Sequence, residues 1–249
     1  MGAFGALAYR SSGLFRCLRL DHNTSLNSPG VHLKPDWNAI DTVLLDMDGT
    51  LLDLHFDNHF WQTHVPLRYA QKHGLSGEAA GAHLAERYRA KTGTLDWYSV
   101  DYWSRELELD IAALKEEVAH LIAVHPDVPD FLDALRRVGK RVLLVTNAHH
   151  KSLALKMART GLAVHFDVLV TSHEIGLPKE DADFWPALAA FHPFDPGRSL
   201  LIDDSLPVLR AARKAGIAHL LGIAQPDSRR PRKDGDEFMA IGRFSDIMP

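Results

Sequence analysis

The chain has 249 residues, 46% hydrophobic and 24% charged, with a formal net charge of −4. That is enough apolar material for one large domain, or a core with a smaller companion, and the charge argues against a general nucleic-acid binder, which is normally basic. No apolar run is long enough to span a bilayer; the single cysteine, Cys17, rules out an internal disulfide and makes the cytoplasm the expected compartment.

Residues 1–36 read as a leader. "MGAFGALAYRSSGLFRCLRL" carries Arg10, Arg16 and Arg19 with no acid before Asp21, and the turn-rich "DHNTSLNSPG" follows. A transit peptide can start this way, but the segment lacks a clean h-region or cleavage site, so the expectation is a disordered or mis-started leader. From Trp37 onward strands and helices alternate. "TVLLDM", "RVLLVTNA", "FDVLVTS", "RSLLIDDS" and "AHLLGI" are apolar on consecutive residues, as strands buried on both faces of a parallel sheet are. Between them "DVPDFLDALRRVG", "HKSLALKMARTG", "DADFWPALAAF" and "LPVLRAARKAG" read as helices, three of them closing at Gly139, Gly161 and Gly216. The pattern predicts a doubly wound α/β fold with a core of residues 37–53 and 126–249. Residues 54–125 break the rhythm and read as helices throughout. A structureless loop of that length is improbable inside a compact domain, so this is an inserted helical cap, placed to act as a lid.

Polar residues gather where the strands end. The first strand delivers Asp46 and Asp48, the second Thr146 and Asn147, and "LLIDDS" delivers Asp203, Asp204 and Ser205; Lys179 lies in the loop after "FDVLVTS". Ligands of open parallel sheets bind beyond these carboxyl ends. A lone Asp there is usually a turn former or cap, but four such signals on successive elements point to a site. Four carboxylates in one crevice require a cation, and an all-oxygen set selects Mg²⁺. Lys179 adds a second positive charge and Thr146 a hydroxyl donor, outlining a cradle for a small dianion such as a phosphoryl group.

"DMDGT", a Thr-bearing strand end, a loop Lys and "DD", in that order, resemble the haloacid dehalogenase-like superfamily of phosphohydrolases, and the helical insert is similar to that family's C1 cap. The resemblance implies a Rossmann-like core and a role for each position. Asp46 would attack phosphorus and become an aspartyl phosphate, and Asp48 would act as general acid and then base. Thr146, Asn147 and Lys179 would hold the phosphoryl oxygens. Asp46, the Asp48 carbonyl and Asp204 would ligate Mg²⁺, with Asp203 holding a metal-bound water or ligating in its place. The family's dehalogenases lack the second aspartate, so Asp48 favours phosphoryl chemistry.

Substrate choice falls to the cap. Phe56, Phe60 and Trp61, then Trp97, Tyr98, Tyr102 and Trp103, cluster there; they serve as packing between cap helices or as a platform for a flat ring, with Asp57, Asn58 or Asp101 bonding its edge. "IDTVLLDMDGTLLDLHFDNHFW", "LDWYSVDYWS", "LLVTNAHH", "GLPKED" and "LIDDS" are together similar to the purine nucleotidases that hydrolyse GMP and IMP. That implies a 5′-nucleotidase for oxopurine monophosphates, with a small-molecule nucleotide as its partner and neither nucleic acid nor membrane. The alternatives are a phosphatase for a sugar phosphate or phosphoglycolate, or a phosphosugar mutase; a non-catalytic binding protein that keeps the fold is disfavoured because every motif residue is present. His149 and His150 read as an ordinary helix start, and "SRRPRK", Ser228 to Lys233, as a solvated loop.

Overall fold

The computed structural model describes residues 34–233 and 236–249; the expected leader lies almost wholly outside them. After a 3-10 turn at Trp37–Ala39, capped by the Asp36 carboxylate, the chain enters β1 (Thr42–Leu45). A helical insert follows: α1 (His55–His59), a π-turn at Phe60–His64, α2 (Val65–His73), α3 (Gly77–Lys91), α4 (Leu95–Tyr98), α5 (Val100–Leu107) and α6 (Ile111–Glu117). Strand–helix alternation then resumes with α7 (Val128–Arg137), β2 (Arg141–Thr146), α8 (His150–Thr160), β3 (Val168–Thr171) and the single-turn α9 (Ser172–Ile175). The chain continues through α10 (Phe184–Phe191), β4 (Ser199–Ile202), α11 (Leu206–Lys214), β5 (His219–Ile223) and β6 (Ala240–Ile241).

The six strands form one parallel sheet in the order β3-β2-β1-β4-β5-β6. The five expected strands are all present, and β6, only two residues long, had no pattern to announce it. Alternate residues feed opposite faces, as the strand period requires. Val43, Leu45, Val142, Leu144, Leu200 and Ile202 pack under α7 and α8, against Phe131, Leu135 and Met157. Leu44, Leu143, Val145 and Leu201 face the other way, onto Phe184 and Leu188 of α10 and Leu209 of α11. Both faces are covered, which is why the strands are apolar throughout. This is the doubly wound α/β fold.

The insert has an apolar cluster of its own, built on Phe56, Phe60, Leu84, Trp103, Leu107 and Ile111. Where its helices depart from the sequence expectation, the departures have local causes. "NHFWQTHVPLRYAQKHG" is helical without interruption to His73, but its middle widens into the π-turn: Pro66 has no N–H to donate, and the Val65 N–H reaches the Phe60 carbonyl. "DWYSVDYWSRELEL" breaks at Ser99, whose hydroxyl caps α5 by accepting from the Tyr102 N–H (3.1 Å). Two backbone strands join insert to sheet: the Asp53 N–H donates to Ala123 O and the His125 N–H to Leu51 O, each at 2.9 Å. Asp53 shapes the entry, its carboxylate accepting from the His55 and Ser228 N–H groups.

Trp103 is the centre of the insert. It is fully buried, its Nε1–H donates to the Trp97 carbonyl (2.9 Å), and the rings of Trp61, Tyr88, Trp97 and Tyr102 meet it edge-on. Trp103→Ala is expected to cost about 3–5 kcal/mol of unfolding free energy, measured by equilibrium urea unfolding; a loss below about 1 kcal/mol would show that the cluster does not depend on it.

Candidate active site

β1 and β4 are paired in register, Leu45 opposite Ile202, so Asp46 and Asp203 emerge side by side. The Asp46 N–H donates to the Ile202 carbonyl (3.0 Å). Strand order reverses here, with β2 and β3 on one side and β5 and β6 on the other, and such a switch point opens a crevice at the carboxyl ends. Lys179, buried in the loop after α9, closes it from the side. Its ammonium donates to Asp46 Oδ1 (2.5 Å), Asp203 Oδ2 (2.6 Å) and the Val145 carbonyl (3.0 Å). The Lys179 backbone N–H is fixed by Asn147 Oδ1 (2.9 Å), and Asn147 Nδ2 donates to Glu180. Thr146, at the tip of β2, accepts from the Ala148 N–H through its hydroxyl oxygen (3.0 Å), and its own O–H remains able to donate.

The carboxylates outnumber the cations at this point. Asp46, Asp203 and Asp204 each offer an oxygen within 4.8 Å of the others, while Lys179 pairs with only two of them. Burial pushes the Asp46 pKa up to about 6, with Lys179 opposing and Asp203 adding to the rise. Asp204 is held well above the usual carboxylate range by burial and by the charges of Asp46 and Asp203. A pocket of oxygens that burial and mutual repulsion push toward protonation fits a hard divalent cation. Gly49 makes the close approach possible: its φ is +88°, and a Cβ there would stand 2.7 Å from Asp204 Oδ2.

Asp48 belongs to a second charged group. Its Oδ1 accepts from Lys156 Nζ (2.6 Å), which also donates to Asp57 Oδ2 (2.6 Å). Asp57 Oδ1 accepts from Lys115 Nζ (3.2 Å), whose ammonium lies over the rings of Phe56, Phe60 and Trp61. Burial opposes the Lys156 charge, but the two carboxylates outweigh it and raise its pKa; burial of Lys115 prevails and lowers that one. Burial, with the neighbouring charges of Asp57 and Asp46, lifts Asp48 to about 6 against the pull of Lys156.

One cavity of about 540 Å³ gathers these groups. Asp46, Asp48, Thr146, Asn147, Lys179, Asp203 and Asp204 line one part; Asp57, Asn58, Trp61, Trp97 and Tyr98 line another. Asn58 Nδ2 is tied to Asp227 (2.7 Å) and the Tyr98 hydroxyl to Glu180 (2.8 Å). Asp101 is the exception. It sits in the first turn of α5 and points away from the cavity, paired with Lys151 of α8 (2.5 Å). The expected role of Asp57 at a ring edge also changes, since both its oxygens are occupied by lysines. Phe56, Phe60 and Trp103 are packing inside the insert, so the aromatic block divides between core and cavity.

Lys156, Lys115, Glu180 and Tyr88 were not singled out from sequence. For the lysines a signal existed: Lys156 falls on the buried stripe Ser152, Leu153, Lys156, Met157, and Lys115 on Ile111, Leu114, Lys115, Val118. A lysine in step with an apolar stripe either reaches past it to solvent or has a buried partner, and here the partners are carboxylates.

A family model described as haloacid dehalogenase-like hydrolase matches residues 40–216. GMP/IMP nucleotidase YrfG of Escherichia coli (strain K12) is 41% identical over 219 residues, 88% of this chain and 99% of that protein. Phosphoglycolate phosphatase of Nitrosospira multiformis is 30% identical over 185 residues, 71% of this chain and 80% of that one. The crystal structure of a HAD phosphatase from Thermococcus onnurineus shares the fold, with a TM-score of 0.68 and 23% identity over 83% of this chain and 95% of that one. The chain belongs to the haloacid dehalogenase-like hydrolase family, and it is an enzyme.

Two tests follow from this geometry. Gly49→Ala must place a side chain at positive φ and against Asp204. It is expected to lower thermal stability and to cut hydrolysis at least tenfold, read by melting and by phosphate release; unchanged activity would mean that the approach to Asp204 is unimportant. His149 caps α8 through Nδ1, and burial beside His150 and His173 pushes its pKa from 6.5 down to about 4. The unfolded chain therefore binds the proton more readily, so this contribution to stability is full above pH 6.5 and is lost as pH falls toward 4. His149→Asn keeps a cap without the titration, and its melting temperature is expected to fall less than that of the wild type across this window; parallel curves would refute it.

Proposed function

We propose that the chain is a Mg²⁺-dependent 5′-nucleotidase of the cytoplasm, hydrolysing oxopurine nucleoside monophosphates such as GMP and IMP to nucleoside and phosphate. The observation that carries the reading is a cavity in which Asp46, Asp48, Thr146, Asn147 and Lys179 share walls with the rings of Trp61, Tyr88, Trp97 and Tyr98. Its volume suits a mononucleotide, with the flat base against aromatic faces and the phosphate at the strand tips. The relative named for GMP and IMP supports the same choice.

In this mechanism a carboxylate oxygen of Asp46 attacks phosphorus while the bond from phosphorus to the ester oxygen breaks. Asp48 gives its proton to that departing oxygen, and the nucleoside leaves as an alcohol. Asp48, now a carboxylate, takes a proton from water as the water oxygen bonds to phosphorus, and the bond to Asp46 breaks to release phosphate. Thr146, the Asn147 backbone N–H and Lys179 hold the phosphoryl oxygens as negative charge spreads over them. Asp46, Asp204, Asp203 and the Asp48 carbonyl would hold Mg²⁺, which when bound supplies the positive charge that the carboxylate cluster lacks.

A panel of phosphorylated metabolites tests this. Phosphate is expected to come faster from GMP and IMP than from sugar phosphates or phosphoglycolate, EDTA to abolish release and Mg²⁺ to restore it. Asp46→Asn is expected to lower the rate about a thousandfold or more. Faster turnover of a sugar phosphate would overturn the nucleotide reading, and isomerised product without free phosphate would indicate a mutase.

A further inference from the structure

Lys156 has no part in the phosphate cradle, which Lys179 completes, yet it is 1% exposed on α8. Burying an ammonium to hold two helices together is poorly rewarded, because a well-packed apolar residue does the same more cheaply. Its position answers a different need. Nζ binds one oxygen of Asp48 and one of Asp57 at equal distances of 2.6 Å. Asp48 comes from the end of β1, whereas Asp57 comes from α1 of the insert and is held from its other side by Lys115. Asp48 lines the cavity and its Oδ2 accepts no hydrogen bond from the described residues, so Lys156 fixes the carboxyl by one oxygen and leaves the other unbonded.

We propose that Lys156 is the positioning residue for Asp48, aiming Oδ2 at the ester oxygen, and that docking of Asp57 from the insert holds Lys156 in place. The proposal rests on the phosphoryl-transfer reading. As the bond between phosphorus and ester oxygen breaks, its electron pair stays on that oxygen, which takes the proton from Asp48 Oδ2. The same Oδ2 later accepts the proton of the attacking water, and the electron pair of the phosphorus–Asp46 bond returns to the Asp46 carboxylate. A carboxyl free to rotate serves both transfers poorly. An ester whose oxygen leaves as a stable anion does not need the first transfer.

That difference separates positioning from mere structural support. In single-turnover experiments on the full chain with Mg²⁺, Lys156→Met is expected to slow nucleoside release from GMP or IMP about a hundredfold. First-turnover nitrophenol release from p-nitrophenyl phosphate should stay within about fivefold of wild type, with substrate affinity within about threefold. Asp57→Asn is expected to give the same leaving-group bias at about tenfold, because Lys156 keeps its charge but loses one anchor. Equal slowing of both esters by Lys156→Met, or slowing of neither, overturns the positioning role; an Asp57→Asn effect on affinity alone overturns the link to the insert. Should Lys156→Met fail to fold, Lys156→Met/Asp57→Asn removes one charge of each sign and carries the same comparison. The parent reading fails separately. If GMP and IMP are rejected but another alkyl phosphate is cleaved, that ester replaces them, and if Asp46→Asn retains activity the nucleophile has been misassigned whatever Lys156 does.

Discussion

A shortage of positive charge at the carboxyl end of the β1–β4 pair governs this molecule. Parallel register sets Asp46 beside Asp203, and the turn at Gly49 brings the chain against Asp204. No arrangement of the local backbone relieves that crowding; relief has to come from elsewhere in the sequence. Lys179 supplies one charge from the loop after β3, and the distance along the chain, 133 residues to Asp46, shows how much of the fold must be in place first. What Lys179 leaves uncompensated is negative charge on Asp46, Asp203 and Asp204, a surplus compatible with a divalent cation.

The same need explains what could and could not be read in advance. The strands were legible because a sheet covered on both faces demands apolar residues at every position, and Val43 and Leu44 illustrate this by packing on opposite sides. The clustered aspartates were legible because acids directly after such runs have no dull explanation once they recur on neighbouring strands. Lys156 was not, although it shares the buried stripe of α8 with Leu153 and Met157. Its partners lie 108 and 99 residues away, and a lysine within an amphipathic helix reads as solvated until they are known.

The aromatic residues of the insert show a different limit. Period arguments place Phe56, Phe60 and Trp61 near one another, but the π-turn beginning at Phe60 shifts the helix phase, and only Trp61 of the three reaches the cavity. Asp101 and Trp97 stand four residues apart, yet the break at Ser99 separates them, so one lines the cavity and the other pairs with Lys151 outside it. Helix interruptions of a single residue decide such matters, and propensity does not resolve them.

Chemistry and selection thus draw on different materials. The strand tips are fixed by register and by Lys179, and change at any of them disturbs the charge balance on which the others rely. Trp61, by contrast, is held by ring contacts with Phe60, Tyr88 and Trp103, all within the insert. Substitution among these rings can reshape the aromatic wall of the cavity while leaving every carboxylate and ammonium of the sheet in position. The exception is Asp57, which joins Lys115 of the insert to Lys156 of α8 and so is bonded into the charge network. It is there, rather than at the aromatic wall, that a change in the insert reaches Lys156 and, through it, the carboxyl of Asp48.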